Sequence, residues 1–558
     1  MPVLQFKGKS VIESYHHTVP HHRLEFDREL SLLPNRQKPG LDGNLIIEGD
    51  NLIALKALLP THAGRVKCIY IDPPYNTGNE GWVYNDNLTQ PQFKEWVGQT
   101  VGKEGEDASR HDKWCCMMYP RLSLLRELLA DDGVALISID DNESHHLRIL
   151  MDEIFGEDLF IGQIVWKTRN TDNRLKSNLS TDHESVLVYA KPSGSLRGRV
   201  VDRSDFDNPD NDDRGPYVTD PLTGKATTEQ RPNLHHTIVN PATNDKYMPD
   251  PSRGWITDAA GVAALIAEKR IWWPPNPATG NPRKKRFLTE TSERMPSSTF
   301  WGDIRGQSGA DEVDQILGER LFAFPKLLAF MEKLLDLAAG HDDIVLDCTG
   351  GSGTTAHAIL KLNAADNGNR RFIVIQQPHD TKDHESTGTN VCRDITAQRV
   401  RRAISGYTIT HRDNGERATR KKVLGLGGSF TYVRVGAPLF GEYRDFGERP
   451  PDFEDLAHYI FYTETSRESD PKKFDRQSGF IGETEAVGGT SYYLLYDPAP
   501  DVDRELSLVT LAQLRKSDKN RNWVIYCEKF WMHDDQLRKF EREHGKRIRP
   551  MIVPFQLK

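Results

Sequence analysis

VKCIYIDPPY, residues 66–75, decides how this chain is read. VKCIYID is an almost unbroken apolar run, too short for a helix, as expected of a parallel strand buried on both faces. Two prolines end it and stiffen the turn that follows. The end of a parallel strand is where open α/β sheets place their ligands. There Asp72 offers a carboxylate, Pro73 a main-chain carbonyl and Tyr75 an aromatic face, with Pro74 fixing the turn. The set suits an aromatic amine, whose hydrogens meet the acceptors while its ring stacks on the tyrosine. An exocyclic amine is a weak nucleophile because its lone pair is delocalised into the ring. Hydrogen bonds to Asp72 and Pro73 would draw that nitrogen toward tetrahedral geometry, and a preorganised carboxylate would stabilise the positive charge that develops. Methyl transfer to such an amine needs no covalent enzyme intermediate and no metal.

Outward from this stretch, strands alternate with helices. NLIIEGD (44–50) reads as a strand and NLIALKALLP (51–60) as a helix; residues 117–133 read as a helix, VALISID (134–140) as a strand, 146–156 as a helix and ESVLVYAK (184–191) as a strand. Turn formers break the rhythm over 192–300. It resumes near 322 with the helix KLLAFMEKLLDLAAG (326–340), the strand DIVLD (343–347), the helix TAHAILKLN (355–363) and the strand RFIVIQQ (371–377). Such alternation predicts an α/β sheet. Between strand and helix lies DCTGGSGTT (347–355), a glycine-rich turn that lets backbone approach a ligand and aims helix N–H groups at it. It lacks the P-loop lysine and is not a full GxGxxG. Beyond about 420, FTYVRV, SYYLLYD and NWVIYCEKF predict strands of a separate α+β domain.

Composition sets the bounds. The 558 residues suggest roughly three or four domains. With 37% hydrophobic and 28% charged residues the chain is polar but able to fold. No apolar run is long enough to cross a membrane, the first residues lack a signal core, and six cysteines show no CxxC spacing. A cytoplasmic location follows as the expectation. A net charge of −8 argues against a purely electrostatic nucleic-acid binder but allows a local basic cleft. The pairs His16-His17 and His21-His22 lack Cys or acidic companions, so residues 1–43 are expected to be an irregular, solvated arm without metal.

In the order and spacing of its motifs the chain resembles the β-class amino-DNA methyltransferases, and more closely the modification subunits of type III restriction–modification systems. The carrying residues are NLIIEGDNLIALKALL, IYIDPPYNTGNEGWVYND, MMYPRLSLLRELLADDGVALISIDDNE, STDHESVLVYAK, the RGW of 253–255, the FPK of 324–326, DCTGGSGTTAHAILKLN and ITAQRVRRA, together spanning about 44–407. The resemblance implies a Rossmann-like sheet that uses S-adenosylmethionine (AdoMet), in the circularly permuted order that puts the catalytic motif first. Residues 44–191 would be the catalytic half, 192–320 an inserted target-recognition region, 321–419 the AdoMet-binding half and 420–558 an accessory domain. It implies catalysis at Asp72, Pro73, Pro74 and Tyr75. Asp347, Thr349, Gly351, Gly353 and Thr354 would belong to the AdoMet turn, Asp50 would lie near the adenine, and Lys326 would fall in the cofactor-side motif. Gln377 or Asp380 would serve the ribose. Three departures stand out: Thr349 replaces an aromatic residue, Gly350 replaces an alanine, a change expected to be harmless, and the acidic residue expected after RFIVIQQ for the ribose is not cleanly present, so that Gln377 or Asp380 would substitute for it. DPPY favours adenine N6 over cytosine N4 in this family.

A base inside a duplex must be flipped out before it can react. Arg270, Trp272, Trp273 and the run Arg283-Lys284-Lys285-Arg286 are expected to hold DNA, because cations near aromatic rings suit phosphate contact and base stacking. The arginines of ITAQRVRRAISGY are expected to face solvent. The implied partners are duplex DNA, a second copy of the chain, and a restriction or helicase subunit. The competing reading is a DNA-recognition subunit with weak or absent methylation.

Overall fold

The computed structural model describes residues 3–77, 107–171, 179–276, 278–302, 304, 308–322, 324–411, 419–441, 446, 450–485, 488–499 and 504–553. Residues 78–86 of the DPPY-containing motif lie outside them. The chain forms two compact units, one of 1–197 with 298–558 and one of 198–297.

A ten-stranded sheet organises the larger unit. Its strands in chain order are β1 (His22–Leu32), β2 (Leu45–Glu48), β3 (Val66–Ile71), β4 (Leu129–Ile139), β5 (Phe160–Lys167), β6 (His183–Ala190), β7 (Phe300–Trp301), β8 (Ile344–Asp347), β9 (Arg371–Gln376) and β10 (Phe430–Pro438). Across the sheet they run β1-β10-β2-β9-β8-β3-β4-β6-β5-β7. The stretch from β10 through β4 is parallel, β6 is antiparallel to both its neighbours, and β1 is antiparallel to β10. Strands β3 and β8 are neighbours although all of 198–297 lies between them in the chain.

Alternation along each strand feeds two cores. Leu45, Ile47, Ile69, Ile71, Ile344 and Leu346 point into one, under the helices Asn51–His62, Asp107–Leu128 and Ser144–Ile154. Ile46, Cys68, Tyr70, Val345, Phe372 and Val374 point into the other, under Leu328–Ala338, Thr354–Asp366 and Ala397–Ser405. Both faces being covered is why these strands read as continuous apolar runs.

Three boundaries differ from the sequence reading. Residues 1–43 are no irregular arm: β1 pairs with β10 at the sheet edge, and the His21 ring packs edge-on against Tyr459. The sheet also continues past 420, because β10 pairs with both β1 and β2. The chain then builds a second sheet from Phe480–Glu483, Thr490–Leu495, Asn522–Cys527 and Arg547–Ile552, with helices Leu508–Ser517 and Asp534–His544 between the last three strands. Those three are parallel, which makes this region alternating α/β rather than α+β. It is bound to the first sheet's helices: Tyr462 donates to Glu127 at 2.7 Å, Ser469 Oγ to the Pro60 carbonyl at 3.0 Å, and Arg65 pairs with Glu468 at 2.9 Å.

The region expected as 192–320 contracts to 198–297, since β7 belongs to the large sheet. That unit holds the three-stranded antiparallel sheet Ile271–Trp272, Arg283–Phe287, Tyr217–Pro221. Its small core gathers Leu222, Ile238, Tyr247, Val262 and Ile271 around the fully buried Trp255.

Candidate active site at the carboxyl ends of the parallel strands

The adjacent parallel strands β2, β9, β8 and β3 end side by side, so Asp50, Gln377, Asp347 and Asp72 meet at one edge of the sheet. This is the crevice that open α/β sheets offer to ligands. One side chain ties its two halves together. Thr349 Oγ1 accepts the Asp72 backbone N–H at 2.8 Å, while the Thr349 N–H donates to Asp347 Oδ1 at 2.9 Å. The departure at 349 thus puts a hydroxyl where it joins the DPPY turn to the glycine turn.

Around Asp72 stands a four-membered polar cluster. The Tyr75 hydroxyl lies 2.7 Å from Asp72 Oδ1 and 3.1 Å from Glu184 Oε2. Lys326 Nζ donates to the Tyr75 hydroxyl at 2.7 Å and to Glu184 at 2.8 Å, and lies 3.1 Å from Asp72 Oδ1. Burial raises the Asp72 pKa above the usual carboxylate value. Burial also pulls at the Lys326 ammonium, but Asp72 and Glu184 outweigh it and its pKa ends raised. Tyr75 therefore contributes its hydroxyl as well as its ring. Pro73 and Pro74 are both buried, and the Pro74 carbonyl accepts from the Trp114 indole at 2.7 Å.

Lys326, expected on the cofactor side, has its ammonium inside this cluster. Its main chain still borders the glycine turn, where its carbonyl accepts from Thr354 Oγ1 at 3.4 Å. Glu184 was missed by the residue reading. The signal available was an acid at the mouth of an otherwise apolar strand.

On the cofactor side, Gly351 (φ +50°) donates its N–H to Gln376 Oε1 at 2.6 Å, and Gly353 (φ +80°) caps the helix Thr354–Asp366. A Cβ on Gly353 would come within 3.2 Å of Thr396, so any larger side chain there would press on the N-cap of the helix Ala397–Ser405. A Cβ on Gly350 would stand 2.2 Å from Val374 Cγ1, so glycine is the residue this packing accepts. Burial raises Asp347 to a pKa of about 6 and Asp380 likewise to about 6. Asp380 accepts from Gln376 at 2.6 Å and lies 3.4 Å from Gln377 Nε2. Asp50 caps the helix Asn51–His62 through the N–H groups of Leu52 and Ile53, with Arg121 at 3.6 Å.

Of the arginines of the helix Ala397–Ser405, Arg402 is exposed as expected, Arg401 is half-buried and Arg399 is not at the surface at all. Arg399 is fully buried, and its Nη1 donates to Ser352 Oγ at 2.8 Å and Thr354 Oγ1 at 2.7 Å, bracing the glycine turn from behind. Arg401 and Arg402 donate to the carbonyls of Leu30 and Ile316.

The basic run expected to grip DNA needs correction. Arg283–Phe287 is a strand, so consecutive side chains point to opposite faces. Lys285 is buried between Asp210 and Asp212, Arg286 pairs with Asp220 at 2.8 Å, Arg283 donates to Thr219, and Arg270 pairs with Glu290 and Glu268. Lys285 is not available to a phosphate. Trp272 and Arg283 instead line a groove of about 500 Å3 together with Thr223, Pro274, Pro275 and Asn281. Among the described residues, His16, His17 and Glu127 cluster closely, as do His111, Glu143 and His146.

A doubly wound sheet with an acidic DPPY turn stitched to a glycine-rich turn defines an amino-methyltransferase architecture. The DNA methylase family profile matches residues 66–383, and the chain belongs to that family. It is 32% identical over 380 residues to the Mod subunit of the type III restriction–modification enzyme StyLTI of Salmonella typhimurium, covering 65% of this chain and 57% of that protein. It is 32% identical over 410 residues to the EcoP15I Mod subunit of Escherichia coli, covering 64% and 63%. It is also 32% identical over 407 residues to the type II methyltransferase M.KpnI of Klebsiella pneumoniae, covering 67% and 94%. The chain spans about six-tenths of the length of the two Mod subunits.

Proposed function

We propose that this chain transfers a methyl group from AdoMet to adenine N6 in duplex DNA, within a restriction–modification system. The observation that carries the reading is the stitch from Asp72 through Thr349 to Asp347, which holds the amine-binding turn against the glycine turn. The residues fit the cofactor: buried Asp347 and Asp380 are acids held part-way to neutrality by burial, an environment a bound cation relieves. When bound, AdoMet supplies an electrophilic methyl on a sulfonium. Asp72 and the Pro73 carbonyl orient the amine, Tyr75 stacks on the base, and Asp72, with its raised pKa, accepts the proton the nitrogen sheds. Thr349, Gly351, Gly353 and Thr354 form the wall at the methionine end, while Asp50 and Gln377 lie toward the nucleoside.

The unit 198–297 reads the target, with Trp272 and the 500 Å3 groove as its stacking surface. The relatives named as Mod subunits of restriction–modification enzymes support a partner restriction subunit, and a second copy of this chain is proposed on the family resemblance alone. Among the described residues no helix is long and apolar enough to cross a membrane, and the proposed DNA substrate places the enzyme in the cytoplasm.

The test is incubation with labelled AdoMet and varied duplexes, followed by hydrolysis to nucleosides. Label in N6-methyladenine is expected. Label in N4-methylcytosine, or none with any duplex, overturns the reading.

A further inference from the structure

Immediately after Tyr75 the backbone enters the left-handed region, with Asn76 at φ +58°. The Asn76 amide donates to Glu143 Oε1. Glu143 has no solvent exposure, and its carboxylate takes two further donors: His111 Nδ1 at 2.6 Å on Oε1 and His146 Nδ1 at 2.7 Å on Oε2. The Asn76 NH2 can only donate, and each imidazole can turn an Nδ1 hydrogen toward the carboxylate. His111 lies on the helix Asp107–Leu128, which also carries Trp114, the donor to the Pro74 carbonyl. His146 lies on Ser144–Ile154, whose N-cap is Glu143 itself. Tyr75 is thus held from both sides, through Pro74 by Trp114 and through Asn76 by Glu143.

The spacing is that of hydrogen bonds. A divalent ion bound at about 2.0–2.2 Å would hold tetrahedral ligand atoms about 3.3 Å apart, whereas these donors lie at 2.6 and 2.7 Å from the carboxylate. A buried carboxylate left with an unmatched partner is costly, so the network has one satisfied arrangement. That arrangement sets where the residue after Tyr75 goes.

We propose that Glu143 is a positioning residue for methyl transfer, acting through Asn76 to fix the Asp72–Tyr75 turn. This rests on the proposed methyltransferase activity and names a further part of its machinery. Misplacing a reacting group by about 1 Å costs on the order of 10²-fold.

Asn76→Gly keeps the left-handed backbone accessible but removes the amide, and should lower kcat about 10²-fold while AdoMet affinity holds and the melting temperature falls only by what one lost buried hydrogen bond accounts for. Asn76→Asp sets two carboxylates against each other and should be worse. Pairing it with Glu143→Gln returns a donor–acceptor contact, so the double variant should recover at least tenfold over Asn76→Asp alone. A purely structural role would show no such rescue. Wild-type rates in Asn76→Gly and Asn76→Asp, or a double variant no better than Asn76→Asp, would overturn the proposal, as would a stoichiometric metal in the purified wild type by elemental analysis. Wild-type protein inert on every duplex would sink the methyltransferase reading itself, a different failure from active wild type with indifferent variants.

Discussion

The DPPY turn and the basic strand Arg283–Arg286 look alike as sequence, since each packs several chemistry-bearing residues into four positions. The structure treats them oppositely. At 72–75 the residues leave the end of a parallel strand, where neither pleat nor ladder dictates direction, and they gather around one point with Lys326 and Glu184. At 283–286 they sit inside an antiparallel sheet, where the pleat sends neighbours to opposite faces and local acids neutralise Lys285 and Arg286. A run of like residues concentrates chemistry only where the backbone lets the side chains converge.

The sharpest way to break this contrast is Asp72→Ala. Methyl transfer should fall by about 10³-fold or more while AdoMet binding by calorimetry persists. Near-normal turnover would mean the turn does not bind the amine. Lys285→Met should act on stability instead, costing on the order of 1–2 kcal/mol, since Asp212 keeps Arg214 and Asp210 is half-exposed. Its melting temperature should drop while the salt dependence of DNA binding is unchanged; the reverse pattern would restore Lys285 as a phosphate contact.

Thr349→Val keeps the shape but orphans the Asp72 N–H, a loss of about 1–3 kcal/mol. A roughly tenfold fall in kcat/KM is expected, and unchanged kinetics would show that the stitch is dispensable. Lys284→Ala is the mildest test. Lys284 lies on the opposite face of the strand from buried Lys285, so its removal should lower the log–log salt slope for DNA by about one unit, alike for all sequences.

The pH behaviour sharpens the same site. Asp347 has a folded pKa of about 6 against an ordinary 3.8, because burial penalises its charge. As pH falls from about 6 toward 4 the folded state takes up this proton first, so this group favours the folded protein more at the acid end of that window. If Asp347 holds AdoMet as proposed, the negative charge it offers the cofactor is lost over the same window. AdoMet affinity should therefore fall below pH 6 with no matching fall in apo-protein stability from this group. Parallel loss of both would place the titration elsewhere.

Much of the site was readable because its rules are local. A strand buried on both faces announces itself as VKCIYID or DIVLD, and turns that follow such strands sit at a ligand edge whatever else the chain does. What escaped depends on distant partners. β1, HRLEFDRELSL, has only Ser31 buried, so no periodicity marks it; it is a strand because β10 offers an edge more than 400 residues later in sequence, as the pairing of His22 with Pro438 shows. Arg399 looked like one of three solvent-facing arginines and is instead sealed behind the glycine turn.

By itself, then, the sequence determined the alternating α/β character, the DPPY turn at 72–75 at the end of a buried strand and the glycine turn at 347–355. Each follows from burial and backbone freedom within a few residues. The tertiary structure alone decided that Thr349 would bind Asp72, that Lys326 and Glu184 would join Tyr75, that Glu143 would hold Asn76, and that Lys285 would be consumed by Asp210 and Asp212. Those are pairings of polar groups taken out of water, and which partner satisfies a buried polar group is set by where the packed strands and helices bring it, not by its neighbours in the chain.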